Sequence, residues 1–418
     1  MSSFATIPAS YSVVRPAVKV RTFPTGTALT VLASIFNVIL CLISTRGLLY
    51  TSSSVVAVAE MLILGAGFFV IRRTISRRIV IITGLSVAYM IGAKLINPAL
   101  SLKIIHDFAI AYIFYQVGMI SGLSQARSAV WITMTLTLAM GVFEMASPVV
   151  FGQFFNIWQY YTQKGALSAT TINYSQTTFF ASGDRVGVKR TFFSSLLGPH
   201  RVSSIFLEPV SMGNYATIIF AWCLATCRNR RGQRQILLFI LSFVCIVLTD
   251  SRFGSACCIV MALFRLSPLR GSSLVAFLLP ICVATSLTVT GSMHEIPGWA
   301  PSIMNDDFSG RLLFSGQLMD YWNLPEWFAL APSAVYTADT GYAYIFSNLG
   351  IPFALVYLAL FAFSKSASRT AAIMKTNISV YFSASLCIGA SIFSIKTAAL
   401  LWLLYGATQS IGQPSRQA

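Results

Sequence analysis

The feature that most constrains this chain is a recurrence of apolar runs, each near the roughly 20 residues an α-helix needs to cross a bilayer. They fall at 27–45, 53–71, 79–97, 104–123, 129–147, 207–227, 235–250, 253–267, 271–291, 341–364, 379–395 and 397–411. Hydrophobic residues make up 56% of the 418 and charged residues only 10%, against about 25% charged in a soluble domain. Such a chain finds its solvent in lipid, where only helices or closed barrels satisfy the backbone, and runs of this length select helices. The expected fold is an all-α integral membrane protein, one polytopic domain over 1–418 with about 12 transmembrane helices. Two long loops, 148–206 and 292–340, are expected to face outward.

Charge placement sets the orientation. Arg72, Arg73, Arg77 and Arg78 fill one short connection, and Arg228, Arg230, Arg231 and Arg234 another. Arg265 with Arg270, and Lys365 with Arg369 and Lys375, fill two more, and none of these holds an acid. The positive-inside rule puts that side, with both termini, in the cytoplasm. Residues 1–26 carry Arg15, Lys19 and Arg21 and read as the approach to a retained first helix. The net charge of +17 is distributed over these clusters without a basic domain, which excludes nucleic acid as a partner. All eight cysteines lie inside apolar runs, where they read as packing residues rather than metal ligands or disulfides.

Acidic residues take the other side: Asp184, Glu208, Asp250, Glu295, Asp306, Asp307, Asp320, Glu326 and Asp339 lie at or beyond the outward face. Function is expected there, since no cytoplasmic loop is large enough to hold a nucleotide. The outward basic set is Arg185, Lys189, Arg190, Arg201, Arg252 and Arg311. Guanidinium groups bind phosphate oxygens bidentately and stay charged, so this set fits either a lipid diphosphate or anionic head groups. Arg201 and Arg252 stand at the mouths of membrane spans, where the functional reading is favoured, unless Asp250 simply neutralises Arg252. A general base for a sugar hydroxyl needs a carboxylate or imidazole, and Asp339, Glu208, His200 and His294 all qualify. The neighbours Asp306 and Asp307 alone make a poor metal site, so no metal or other cofactor is expected. Aromatic residues in both loops, Phe151 to Tyr161 and Trp299 to Trp327, suit an interfacial belt or sugar stacking. Within the spans, Glu60, Asp107 (with Lys94) and Glu144 read as interhelical pairs, although a proton-coupled transporter uses such residues too.

The stretch Arg201 to Asn214, with Phe-Leu-Glu-Pro-Val-Ser-Met-Gly-Asn at its end, resembles the helix entry after the first large periplasmic loop of bacterial polysaccharide polymerases. Thr249-Asp-Ser-Arg252-Phe-Gly resembles their Ser-Arg motif, and Asp307-Phe-Ser-Gly-Arg311 with Asp339-Thr-Gly-Tyr342 and Gly350 resembles the second loop and its exit. The likeness is to the Wzy-type O-antigen polymerase and ligase superfamily, in particular exopolysaccharide polymerases of the xanthan type. It implies a GT-C-like membrane glycosyltransferase of the bacterial inner membrane. Its substrates would be polyprenyl-diphosphate-linked oligosaccharide repeat units, and it would transfer a growing glycan onto the next unit. Arg201 and Arg252 would hold the diphosphate, with Asp339 and Glu208 as further catalytic candidates. His200, Arg185, Arg190, Arg311, Asp307 and Tyr342 would line the substrate site. A flippase and a chain-length regulator are the implied partners. Ligases of the superfamily carry a histidine where this chain has Asp339, which favours a polymerase over a ligase. A flippase or transporter of lipid-linked oligosaccharide is the alternative from another class, although no internal repeat supports it.

Overall fold

The computed structural model describes residues 24–167, 178–180, 183, 191–227, 232–293, 308–333 and 340–411. All the extended regular structure among them is helical. In chain order the helices are α1 (Thr25–Thr45), α2 (Ser53–Ile71), α3 (Arg77–Ile96), α4 (Lys103–Ala146), α5 (Pro148–Phe154), α6 (Ile157–Gln163), α7 (Ser194–Leu197) and α8 (Pro209–Thr226). They continue as α9 (Gln233–Leu248), α10 (Arg252–Leu266), α11 (Ser273–Ser292), α12 (Phe308–Asp320), α13 (Leu324–Trp327), α14 (Gly341–Phe363), α15 (Arg369–Ser385) and α16 (Ile395–Gln409). Among the described residues, six helices (α1, α2, α3, α4, α11 and α14) are long and apolar enough to cross a membrane. The outer helices expose large apolar side chains, among them Leu62, Phe69, Leu85, Leu95, Leu263 and Leu274. Apolar surface on that scale is stable against lipid and not against water.

The core is built on two shorter helices, α8 and α16, which are buried along nearly their whole length. Helix α16 lies against α4 with almost no side chain between the backbones. A Cβ on Gly118 would sit 2.2 Å from the Leu403 carbonyl oxygen, and one on Gly406 2.0 Å from that of Tyr115. Small residues at such crossings let membrane helices gain dispersion contacts that lipid cannot match.

Helix α4 replaces two expected spans, 104–123 and 129–147, and the short loop between them is absent. A straight helix of 44 residues would run about 66 Å, twice the hydrocarbon thickness. Instead α4 breaks at Gly122 (φ 67°, ψ −177°), a left-handed conformation that glycine adopts without steric cost. Both of its outer tips lie near the start of α16: Phe108 packs on Phe393, while Glu144 meets the chain at Ser203 and Ser204, just before the Phe206 carbonyl that Lys396 reaches. Helix α14 also breaks, at Gly350, two residues before Pro352.

The bundle has two chemically distinct ends. At the basic end, Arg265 donates to the carbonyls of Leu224 and Cys227, Gly271 N–H to Thr376, and Ala367 N–H to Gln409. The Gly26 N–H meets Gln125 at the same end. At the opposite, loop end, Asn156 N–H donates to Thr45, and α5 and α6 close over the bundle. Of the aromatics of these two helices, Phe151, Tyr160 and Tyr161 are buried, and Tyr160 donates to Asn37 (2.6 Å), whereas Phe154 is exposed and Trp158 half-buried.

The eleventh expected span, 379–395, is displaced. Helix α15 occupies Arg369–Ser385, and the chain from Leu386 to Ser394 is irregular apart from one 3-10 turn. Lys375, expected in a basic connection, is therefore buried in α15. Its ammonium donates to the carbonyls of Ala362 and Ser364, the unsatisfied end of α14.

Candidate functional site

The site at the loop end begins with Glu144, in the last turn of α4 and fully buried. Its carboxylate accepts the Ser203 N–H (3.0 Å), the Ser204 N–H (2.6 Å), the Ser203 hydroxyl (3.0 Å) and His200 Nε2 (2.9 Å). The expected interhelical pair is thus a clamp on the incoming loop. From there the chain is sewn to the α9–α10 turn. Val202 N–H donates to the Leu248 carbonyl (3.1 Å), and Arg201 Nε to that of Thr249 (2.8 Å). Arg201 N–H donates to Gly183 (2.8 Å) on the other side.

Arg252 opens α10 from the same turn, is exposed, and places Nε 2.6 Å from the Thr191 hydroxyl. Asp250, the alternative partner considered for it, accepts the N–H groups of Thr191 (2.9 Å) and Phe192 (3.1 Å). Arg201 therefore bonds to the Leu248–Arg252 turn from which Arg252 reaches Thr191, and the tail of the first long loop is pinned there by Asp250. Four non-glycine residues here have positive φ: Phe193 (50°), Ser204 (51°), Leu207 (62°) and Asp250 (48°). Backbone strain of this kind persists where surrounding contacts over-determine it, and it concentrates at functional sites.

Glu208 lies in the turn before α8 and is committed elsewhere. Lys396 Nζ is 3.0 Å from its Oε2, and the hydroxyls of Ser211 (2.6 Å) and Tyr161 donate to it. Burial alone raises this carboxyl, but the Lys396 ammonium and the donors outweigh it and hold it at about 2. So acidic a group accepts protons poorly near neutral pH. It fastens the loop to α16 instead, with Lys396 also donating to the Phe206 carbonyl (3.1 Å). Lys164, over the Tyr161 ring, is lowered by burial and then by the nearby Lys396 charge.

Tyr342 is buried between α14 and α15, and its hydroxyl donates to the Ser383 carbonyl (3.3 Å). Of the two described tryptophans in the second loop, Trp322 donates Nε1–H to Ser333 and Trp327 packs on Phe346, so both are engaged within the fold. Arg311 is carried by α12. Arg185, Lys189, Arg190, His294, Asp306, Asp307 and Asp339 lie outside the described residues.

A second polar group joins α2, α4 and α14. His106 sits between Glu60 (3.6 Å) and Asp107 (3.1 Å), Lys103 is 3.7 Å from Asp107, and Tyr344 donates to Asp107 (2.8 Å). The expected Lys94–Asp107 pair is corrected here. Lys94 donates to the carbonyls of Pro98 (3.2 Å) and Leu100 (2.7 Å) and caps its own helix end.

Sequence reasoning missed Glu144 as a loop clamp and Lys396 altogether. A lone lysine in the apolar stretch before 397–411 was a usable signal for the second, because a charge buried among apolar helices needs a partner. Taken together, the fold and its apolar outer surface define an all-helical, membrane-embedded protein. Set against protein-family models, curated proteins and solved structures, the chain matches none.

Proposed function

We propose that this protein is a polysaccharide polymerase of the bacterial inner membrane. It transfers a growing glycan from polyprenyl diphosphate onto the next lipid-linked repeat unit at the face where its long loops lie. The presence of Arg201 and Arg252 at one turn, between α9 and α10, carries this reading. Two guanidinium groups at one membrane boundary neutralise the charge that grows on a departing diphosphate as its bond to the sugar breaks. Their motifs resemble those of the Wzy-type superfamily. In this reading α4 counts as two crossings, α8, α9, α10, α15 and α16 cross as well, and the helices traverse the bilayer 12 times in alternate directions. The basic end is cytoplasmic, with both chain termini.

The test is Arg201→Ala in the purified chain, in nanodiscs, supplied with polyprenyl-diphosphate-linked repeat units. Wild type should make a ladder of glycan lengths, and the variant should lose about 10²–10³-fold in rate, the usual cost of one charge-stabilising donor. A protein that moves the repeat unit across a vesicle bilayer without forming a ladder is a flippase, and refutes the proposal.

A further inference from the structure

The two arginines at the α9–α10 turn are held differently. Arg201 is buried and gives Nε to the Thr249 carbonyl. Arg252 is exposed and is the first residue of α10, a helix whose start is capped by the Ser251 hydroxyl accepting the Gly254 N–H (3.1 Å). An exposed arginine samples many rotamers and loses that freedom when a ligand fixes it. One contact restrains Arg252 in advance, the 2.6 Å bond from Nε to the Thr191 hydroxyl. That hydroxyl is itself held in place. The backbone N–H groups of Thr191 and Phe192 donate to Asp250 Oδ1 (2.9 and 3.1 Å), two residues before Arg252. The loop segment thus grips the turn at two points, Asp250 through its backbone and Arg252 through one side-chain oxygen.

A guanidinium group is planar and carries five N–H donors. With Nε turned toward Thr191, the end-on pair of N–H groups, one from each Nη, points away from that bond. Among the described residues no group accepts from those Nη nitrogens. Two parallel N–H groups in one plane match two oxygens of a phosphate. Restraint before binding strengthens such a fork, because less freedom is lost when the ligand arrives.

We propose that Thr191 is a positioning residue for glycan transfer, its hydroxyl aiming the end-on fork of Arg252 at the diphosphate of the lipid-linked donor. The inference rests on the polymerase reading above. Thr191 acts through Arg252 and touches no substrate. Since Thr191 belongs to the first long loop and Arg252 to the helix bundle, docking of the loop segment and binding of the diphosphate favour each other by the same factor.

The experiment uses the full chain in nanodiscs and reads two quantities, the rate of ladder formation from lipid-linked repeat units and the affinity for polyprenyl diphosphate. Thr191→Val keeps the side-chain shape and removes the acceptor. It should lower both quantities about 5–20-fold, the scale of one hydrogen bond to a charged group at an exposed position. Thr191→Ser, which keeps the hydroxyl, should stay within about twofold of wild type. Arg252→Met lacks every donor, so adding Thr191→Val to it should change neither quantity further. Wild-type rate and affinity in Thr191→Val overturn the inference, as does a Thr191→Ser chain as impaired as Thr191→Val. Losses that add in the double variant also overturn it, because Thr191 then acts on the loop and not through Arg252. A wild-type chain that binds polyprenyl diphosphate and forms no ladder overturns the polymerase reading instead.

Discussion

Lys396→Met removes an ammonium while keeping the length and apolar stem of the side chain. That ammonium lies 3.0 Å from Glu208 Oε2 and 3.1 Å from the Phe206 carbonyl, with its side chain 6% exposed and that of Glu208 25%. Breaking a buried pair from one side costs about 3–5 kcal/mol, mostly because the other charge stays behind. Glu208 keeps two hydroxyl donors and some contact with water, so the expected loss is smaller, about 2–3 kcal/mol. At roughly 1–2 °C per kcal/mol for a chain of this size, the apparent melting temperature in nanodiscs should fall by about 2–6 °C, followed by tryptophan fluorescence. The decisive comparison is the double variant Lys396→Met/Glu208→Gln, which leaves neither charge stranded. It should recover at least half of the loss, a coupling of about 1–2 kcal/mol in the double-mutant cycle. If the losses of the two single variants simply add, the pair does not fasten the Phe206–Glu208 turn to α16, and the role given to Lys396 fails.

Acid should act through the same carboxylate. With its folded value held at about 2 against an ordinary 4.5, Glu208 contributes stability that is fully present above 4.5 and lost as pH falls toward 2. Wild type should therefore lose more melting temperature over that window than Glu208→Gln, and equal losses would refute the depressed value. At the α4–α16 crossing, Gly118→Ala should destabilise by about 1–3 kcal/mol through a backbone clash. Gly65→Ala, with no atom within 4 Å of the added carbon, should be neutral or up to about 1 kcal/mol stabilising, and equal effects at the two sites would refute the close packing. Asp250→Asn should lower turnover by releasing the Thr191–Phe192 segment, while Asp250→Glu restores part of it. Unchanged turnover in Asp250→Asn would show that the pinned segment does not position Arg252.

The helices were legible because apolar run length is a direct constraint from the bilayer, and most of the expected spans match a helix to within a few residues. Where the register failed, buried charge was the reason. Lys375 made the start of α15 look like a connection, since hydropathy cannot register an ammonium satisfied by the carbonyls of Ala362 and Ser364. The apolar stretch from Leu386 to Ser394 looked like a span, yet it carries Gly389 at φ 155° and bends under α14. In the candidate site, Arg201 and Arg252 were readable as charges at span mouths. That Arg201 bonds to the turn that carries Arg252 was not, because this depends on a long-range hydrogen bond that leaves no periodic trace. Glu144 was legible as a costly charge, but its partners lie 56 to 60 residues away in a loop.

The reversal of α4 at Gly122 bears on how the protein is made. A pair of spans joined by an ordinary loop can enter the bilayer one at a time, with the loop's charges waiting in water. Here the two arms share a single residue as their corner, so neither can settle at its final depth before the other. In the twelve-crossing reading the arms are laid into the membrane as one hairpin, and α16, whose Gly406 fits against the first arm, arrives only after the helices α5 to α15 have been synthesised. Until then the glycine-lined face at Gly118 has no partner from this chain, and lipid or an assembly factor must cover it.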